Sequence, residues 1–319
     1  MPPAYPYDRL SGARAKASAH DGGVVDLSVG TPCDAPPPAV VEALGRSDAE
    51  RGYPPSAGSP ALREAACEWM RRRLGVRVEP AHVGACIGTK ELVATLPQWL
   101  HLRHPGRDTV LYPAVAYPTY EMGAVLAGCR AVPVPVDAGF HPVLDAIATD
   151  DAARALLLWV NSPGNPCGQV DDLGLAAAWG REHGVPVFSD ECYVEFTWSG
   201  PRRTILEHGH DGLVAVHSLS KRSNLAGARV GFYAGDPELV HYLSEVRKHA
   251  GMMVPGPVQA AAVVALSDDD HVEAQRDRYR ARLERMRAVL ATVDVHAPQP
   301  AGSFYLWAPA PDGDGWGLT

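Results

Sequence analysis

LVAVHSLSKRSNLAGARVGFYAG, residues 213–235, decides the reading of this chain. Its ends, LVAVHS (213–218) and RVGFYAG (229–235), are apolar runs of strand length. The polar turn between them carries Ser218, Ser220, Lys221 and Arg222 and leads to Arg229. Arginine far outnumbers lysine in this sequence, so an amine between two such strands asks for a reason. A solvated face is the bland reading of Lys221. The sharper one is a lysine that holds something covalently, beside serine hydroxyls and an arginine that suit a phosphate.

The same pattern extends outward. TVLYP (109–113), RAVPVPV (130–136), ALLLWV (155–160) and VPVFSD (185–190) are further short apolar runs. Helix-like YPTYEMGAVLAG (117–128) and LGLAAAWGREHG (173–184) lie between them. Strands alternating with helices predict an α/β domain, three layers deep, around a mainly parallel sheet. Runs apolar throughout fit strands buried on both faces. Upstream, VVEALGR (40–46) and SPALREAACEWMRRRLG (59–75) have helical spacing. The second opens on Ser59 as N-cap with Pro60 at its first position and stops at Gly75. Downstream come a short helix in PGPVQAAAVVAL (255–266), a long charged helix over 268–293, and AGSFYLW (301–307) as a strand of a smaller α+β unit. The expected division is an N-terminal arm over 1–30, a large domain over 31–266 and a small domain over 267–319.

Composition narrows the class. A chain of 319 residues with 46% apolar and 21% charged residues fits a globular enzyme. A net charge of −8 argues against a general nucleic-acid binder. Six scattered cysteines without a CxxC pair read as reduced thiols of a cytoplasmic protein, not as a zinc site; no metal is expected. The apolar runs are too short to span a bilayer.

Ligands of open α/β sheets bind at the carboxyl ends of the strands, and four polar clusters lie at such places. CIGTKELVATL (86–96) is a Gly–Thr–Lys turn entering a helix, whose free N–H groups suit an anion; a plain turn is the commoner reading. NSPGNPCGQV (161–170) is a rigid loop where Asn165 is as readily a turn cap as a ligand. FSDECYVEF (188–196) puts Asp190 at the end of a buried strand, costly without a cation, with Tyr193 three residues on. The fourth cluster holds Lys221. Together they supply a phosphate cradle, an amine, a buried acid and donors for a ring oxygen, which are the needs of pyridoxal phosphate. Lysine forms a Schiff base with its aldehyde, and a carboxylate keeps its pyridine nitrogen protonated.

SVGTP, GTKELVATLP, YPTYEMG, NSPGNPCG, FSDECYVEF, HSLSKRSNLAG and RKHAGMM, in this order, resemble the class I/II pyridoxal-phosphate aminotransferases of fold type I. Within them the wording is most similar to the actinobacterial N-succinyldiaminopimelate aminotransferases of lysine biosynthesis. The resemblance implies pyridoxal 5′-phosphate as cofactor, amino-acid and keto-acid substrates, glutamate as donor and N-succinyl-2-amino-6-oxopimelate as acceptor. It implies that Lys221 holds the cofactor and moves the proton, and that Asp190 pairs with the pyridinium nitrogen. Asn165 and Tyr193 would bond the ring oxygen, and Tyr117 would stack on the ring. Gly88, Thr89, Lys90, Ser218, Ser220 and Arg229 would surround the phosphate. Tyr53 would reach the phosphate of a neighbouring subunit, implying a homodimer with shared sites. Gly30 would approach the substrate carboxylate, and Arg222 is a candidate for a further carboxylate, against a surface arginine as the bland reading.

Family members run several dozen residues past the position of Thr319. That stretch carries the arginine that grips the α-carboxylate, while here no arginine follows Arg287. The resemblance so implies an incomplete small domain with apolar surface exposed around FYLW. Two other activities compete: β-elimination of sulfur amino acids on the same fold, and a non-catalytic cofactor binder, either a degenerate copy or a regulator's sensor domain.

Overall fold

The computed structural model describes residues 5–45, 51–310 and 312–318. Arg46 of the expected first helix, the first four residues of the arm and Thr319 lie outside them. In chain order the elements are α1 (Ser11–Ser18), α2 (Pro38–Gly45), α3 (Pro60–Leu74), β1 (Val83–Cys86), α4 (Thr89–Arg103), β2 (Thr109–Pro113), α5 (Thr119–Leu126), β3 (Arg130–Val134) and α6 (Thr149–Arg154). Then follow β4 (Ala155–Asn161), α7 (Leu173–His183), β5 (Val187–Asp190), β6 (Leu213–Ser218), α8 (Leu219–Arg222), β7 (Gly231–Gly235), α9 (Pro237–His249), α10 (Gly256–Ser267) and α11 (Asp270–Ala291).

The strands form one sheet in the order β1-β7-β6-β5-β4-β2-β3. β2 to β6 run parallel, and β7 runs antiparallel to both β6 and β1. β1 therefore points the same way as β6, and its carboxyl end opens at the same edge as those of β4, β5 and β6. Strand residues are buried throughout except on β3 at the edge. One face packs on α4, α5 and α9 through Leu92, Leu96, Tyr120 and Leu243. The other packs on α3, α7 and α10 through Leu62, Trp69, Ala177 and Ala262. This is the expected three-layer α/β/α architecture.

Local chemistry explains the boundaries. Ser59 caps α3 by accepting from the Leu62 amide at 3.2 Å, and Gly75 ends it at φ 74°. β7 begins at Gly231, two residues later than the apolar run suggests, because Arg229 stands in the left-handed region at φ 57°. β1 and α9 carried no separate expectation.

Residues 301–307 do not form the expected strand. Gly302 makes a single bridge with Thr197. A strand needs a partner along its length; here aromatic side chains hold the segment instead. Phe304 and Tyr305 pack on Tyr193, Phe196 and Tyr279 of α11 and its neighbours. So the apolar surface around FYLW is smaller than expected: Phe304, Tyr305 and Leu306 are half-buried and Trp307 is exposed.

Candidate active site

The ends of β4, β5 and β6 bring Asn161, Asp190 and Ser218 to one edge, with Asn161 opposite Asp190 in the ladder. Gly88 and the first turn of α4 open at the same edge. A cavity of about 230 Å³ lies there, lined among others by Gly30, Thr89, Tyr117, Asp190, Lys221 and Arg229.

Period two on β5 puts Phe188 and Asp190 on the face covered by α4 and α5. Asp190 is buried and accepts from the Tyr120 hydroxyl at 2.8 Å and from the Cys192 amide at 3.1 Å. Burial raises its pKa, and these donors pull it partly back. Among the described residues no cationic side chain pairs with it. Cys192 in turn bonds Thr89 Oγ1 through its sulfur at 3.3 Å, tying the strand end to the start of α4.

Lys221 sits on the short α8, which Ser218 caps by accepting from the Ser220 amide at 3.1 Å. Its ammonium donates to the Gly30 carbonyl. Burial lowers its pKa, and the positive charge of Arg229 adds to that while Cys192 opposes it. A Cβ on Gly88 would overlap the Arg229 guanidinium, and Gly88 stands at φ 73°, so a side chain is disfavoured there twice. Arg229 and the amides at the start of α4 thus crowd one spot suited to an anion. Lys90 lies on the rim, donating to the Tyr5 hydroxyl at 2.8 Å.

The loop after β4 places Asn165 by a bond from its amide to Asn161 Oδ1 at 2.7 Å. Asn165 Nδ2 donates to the Tyr193 hydroxyl at 3.4 Å, and that hydroxyl also meets the Tyr305 hydroxyl at 2.8 Å. Burial keeps Tyr193 and Tyr305 well protonated. Tyr117 lines the cavity edge-on to Tyr120, ring centroids 5.8 Å apart.

The structure moves one expected residue out of the site. Arg222 does not face substrate. It is buried on the other side of α8, bonding Glu195 at 3.3 Å, Asp269 at 3.0 Å and the Ala265 and Asp268 carbonyls. On a helix, neighbours in sequence point about 100° apart, so Lys221 and Arg222 cannot share a face. Tyr53 lies outside the cavity of this chain and is 98% exposed. Gly30 does need to be glycine, but against Tyr305: a Cβ would overlap that ring. Sequence reasoning passed over Tyr120, Tyr305, Cys192 and the arm residues Tyr5 and Tyr7, all of which line the cavity. Tyr120 was findable, three residues after Tyr117 on one helix.

A family model for aminotransferase class I and II matches residues 22–312. The chain belongs to the class I and II aminotransferases. These are pyridoxal-phosphate enzymes, and the chain is an aminotransferase. It is 46% identical to 4-dedimethylamino-4-oxo-anhydrotetracycline transaminase OxyQ of Streptomyces rimosus, over 96% of this chain and 84% of that one. It is 36% identical to an LL-diaminopimelate aminotransferase of Desulforudis audaxviator, over 98% of this chain and 82% of the other. The fold superposes on BacF of Bacillus subtilis with a TM-score of 0.90 at 28% identity, over 98% of this chain and 82% of that structure.

The residues present fit the aminotransferase cofactor. A buried carboxylate without a cation awaits a positive ring nitrogen. The Gly88–Arg229 corner at a helix start suits a phosphate. The Lys221 amine lies between them at the cavity wall. When bound, pyridoxal 5′-phosphate supplies an aldehyde for that amine and a ring that withdraws electrons.

Proposed function

We propose that this aminotransferase takes its amino group from glutamate and delivers it to N-succinyl-2-amino-6-oxopimelate. The observation that carries the transaminase part is the cavity shared by Lys221, Asp190 and Arg229. The succinylated acceptor rests on the motif wording, and relatives named LL-diaminopimelate aminotransferases support a diaminopimelate-type carbon chain.

The chain's own residues divide the work. Lys221, less basic than a free lysine because it is buried, takes a proton from the substrate α-carbon and returns one. Asp190 holds the ring nitrogen protonated. Asn165 and Tyr193 donate toward the ring oxygen, and Tyr117 covers a ring face. Thr89, Lys90, Ser218, Ser220 and Arg229 hold the phosphate, with Tyr53 of a second copy completing it in a homodimer.

A second acceptor is favoured by the identity to OxyQ, whose name describes a keto group on a fused-ring scaffold. The test is the visible spectrum of the cofactor-loaded chain. We expect a yellow band that bleaches with glutamate and returns with the succinylated semialdehyde acceptor. Recovery with a fused-ring ketone and not with that acceptor selects the second reading. Lys221→Ala is expected to abolish turnover, by at least about 10⁴-fold if the lysine is both nucleophile and base. Full transamination by that variant sinks the assignment.

A further inference from the structure

Tyr120 has no role in the reading above, yet its hydroxyl is the one side-chain donor to Asp190 among the described residues whose ring is also wholly buried. We infer that Tyr120 is a positioning residue for the cofactor: its hydroxyl aims and holds the Asp190 carboxylate that anchors the ring nitrogen. The inference rests on the cofactor site described above and adds a residue to it.

Three features of the geometry argue for it. The bond runs to Asp190 Oδ2 at 2.8 Å, while the Cys192 amide occupies Oδ1 at 3.1 Å. Each carboxylate oxygen is therefore held by one donor, which fixes rotation about the last side-chain bond. Each oxygen accepts more than one bond, so capacity is left for a ring N–H. The second feature is how firmly Tyr120 itself is held. Its ring stacks on Trp159 with centroids 5.1 Å apart and meets Tyr117 edge-on at 5.8 Å. A side chain clamped on two sides delivers its hydroxyl to one place. The third is the link through Tyr117. The residue that would cover the cofactor ring and the one that aims its counter-ion lie three apart on one turn and touch. A shift of either is felt by the other.

Chemistry sets the direction. Burial pushes the Tyr120 hydroxyl far above an ordinary tyrosine pKa, so it remains a donor at every working pH. Asp190 is pushed toward its neutral form by burial, and a neutral acid cannot anchor a pyridinium. The Tyr120 bond opposes that drift. It stabilises the ionised acid, and so the protonated ring, without adding a charge.

The test is a double-mutant cycle on the full chain, read as the dissociation constant of pyridoxal 5′-phosphate by equilibrium dialysis. Tyr120→Phe keeps both ring contacts and removes only the hydroxyl. It should weaken binding about 10- to 100-fold, the range for a hydrogen bond to a charged group. In an Asp190→Asn background the same change should cost less than about 3-fold, because the carboxylate is already gone. Tyr120→His, which keeps an aromatic donor, should regain part of the affinity. Unchanged affinity in Tyr120→Phe overturns the inference. So does an equal loss in both backgrounds, which would make Tyr120 a packing residue only. If Tyr120→Phe does not fold, Tyr120→His in the two backgrounds makes the same comparison, with equal loss again overturning the inference. Wild-type chain that binds no cofactor would instead sink the site itself, so the two failures read differently.

Discussion

Glu191 stands one residue from Asp190 and has the opposite fate. Alternation on β5 turns it away from the cavity, toward the α3 face. There it accepts from the Ile205 amide at 2.8 Å and lies 3.5 Å from His217, both side chains fully buried. Burial pushes Glu191 up to about 8 and His217 down to about 3, so at neutral pH the pair is neutral and not an ion pair. The folded state then holds a proton on Glu191 that the unfolded chain has lost above its ordinary value near 4.5. Stability must fall as pH rises from about 5 to about 8, because the folded state binds more protons there. Glu191→Gln keeps the accepting oxygen and has no proton to lose. Thermal melts at pH 5.5 and pH 8 should show its midpoint gaining on wild type as pH rises. Parallel falls in both proteins would mean that Glu191 is ionised in the native state.

At the scale of elements, Arg222 joins α8 to the start of α11 and to the loop after β5. Its partner Glu195 also accepts from Trp69 at 2.8 Å and from Arg73, and pairs with Arg202 at 3.0 Å. Arg222→Met should therefore lower stability by about 2–4 kcal/mol, since buried carbonyls and part of an ion cluster lose a donor. It should leave the KM for both substrates within about 2-fold, because the side chain faces away from the cavity. A large rise in KM with unchanged stability would restore Arg222 to the substrate site. This is also where reading the sequence reached its limit. Lys221 was legible because an amine at a strand end has few reasons to be there. Asp190 was legible because a buried carboxylate needs a partner. The side of α8 that Arg222 occupies depends on three acidic or carbonyl partners distant in sequence, which no local pattern displays. Tyr120 and Tyr305 hid for a related reason: inside YPTY and FYLW they read as core aromatics, and only packing brings their hydroxyls to Asp190 and Tyr193. The strand expected at 301–307 failed because a strand is a property of two segments.

For the whole molecule, the open question is where the site is completed. Tyr53 is 98% exposed, and Val25 and Leu27 of the arm are 78% and 67% exposed, while the arm's Tyr5 and Tyr7 reach the cavity. Large apolar groups left in water at this density favour a covering partner, and the proposed homodimer would provide one. If Tyr53 bonds the phosphate held by another copy, its loss must act in trans. Tyr53→Phe homodimers should bind pyridoxal 5′-phosphate about 10-fold more weakly, as for a lost hydrogen bond to a charged group. Hybrid dimers made from Lys221→Ala and Tyr53→Phe subunits then discriminate. In the shared arrangement the intact Lys221 faces the partner's intact Tyr53, so one site per hybrid binds with wild-type affinity and turns over at about half the wild-type rate per dimer. If Tyr53 serves its own chain, the only active site in the hybrid keeps the 10-fold defect. A chain that sediments as a monomer at assay concentration while fully active removes the trans role altogether.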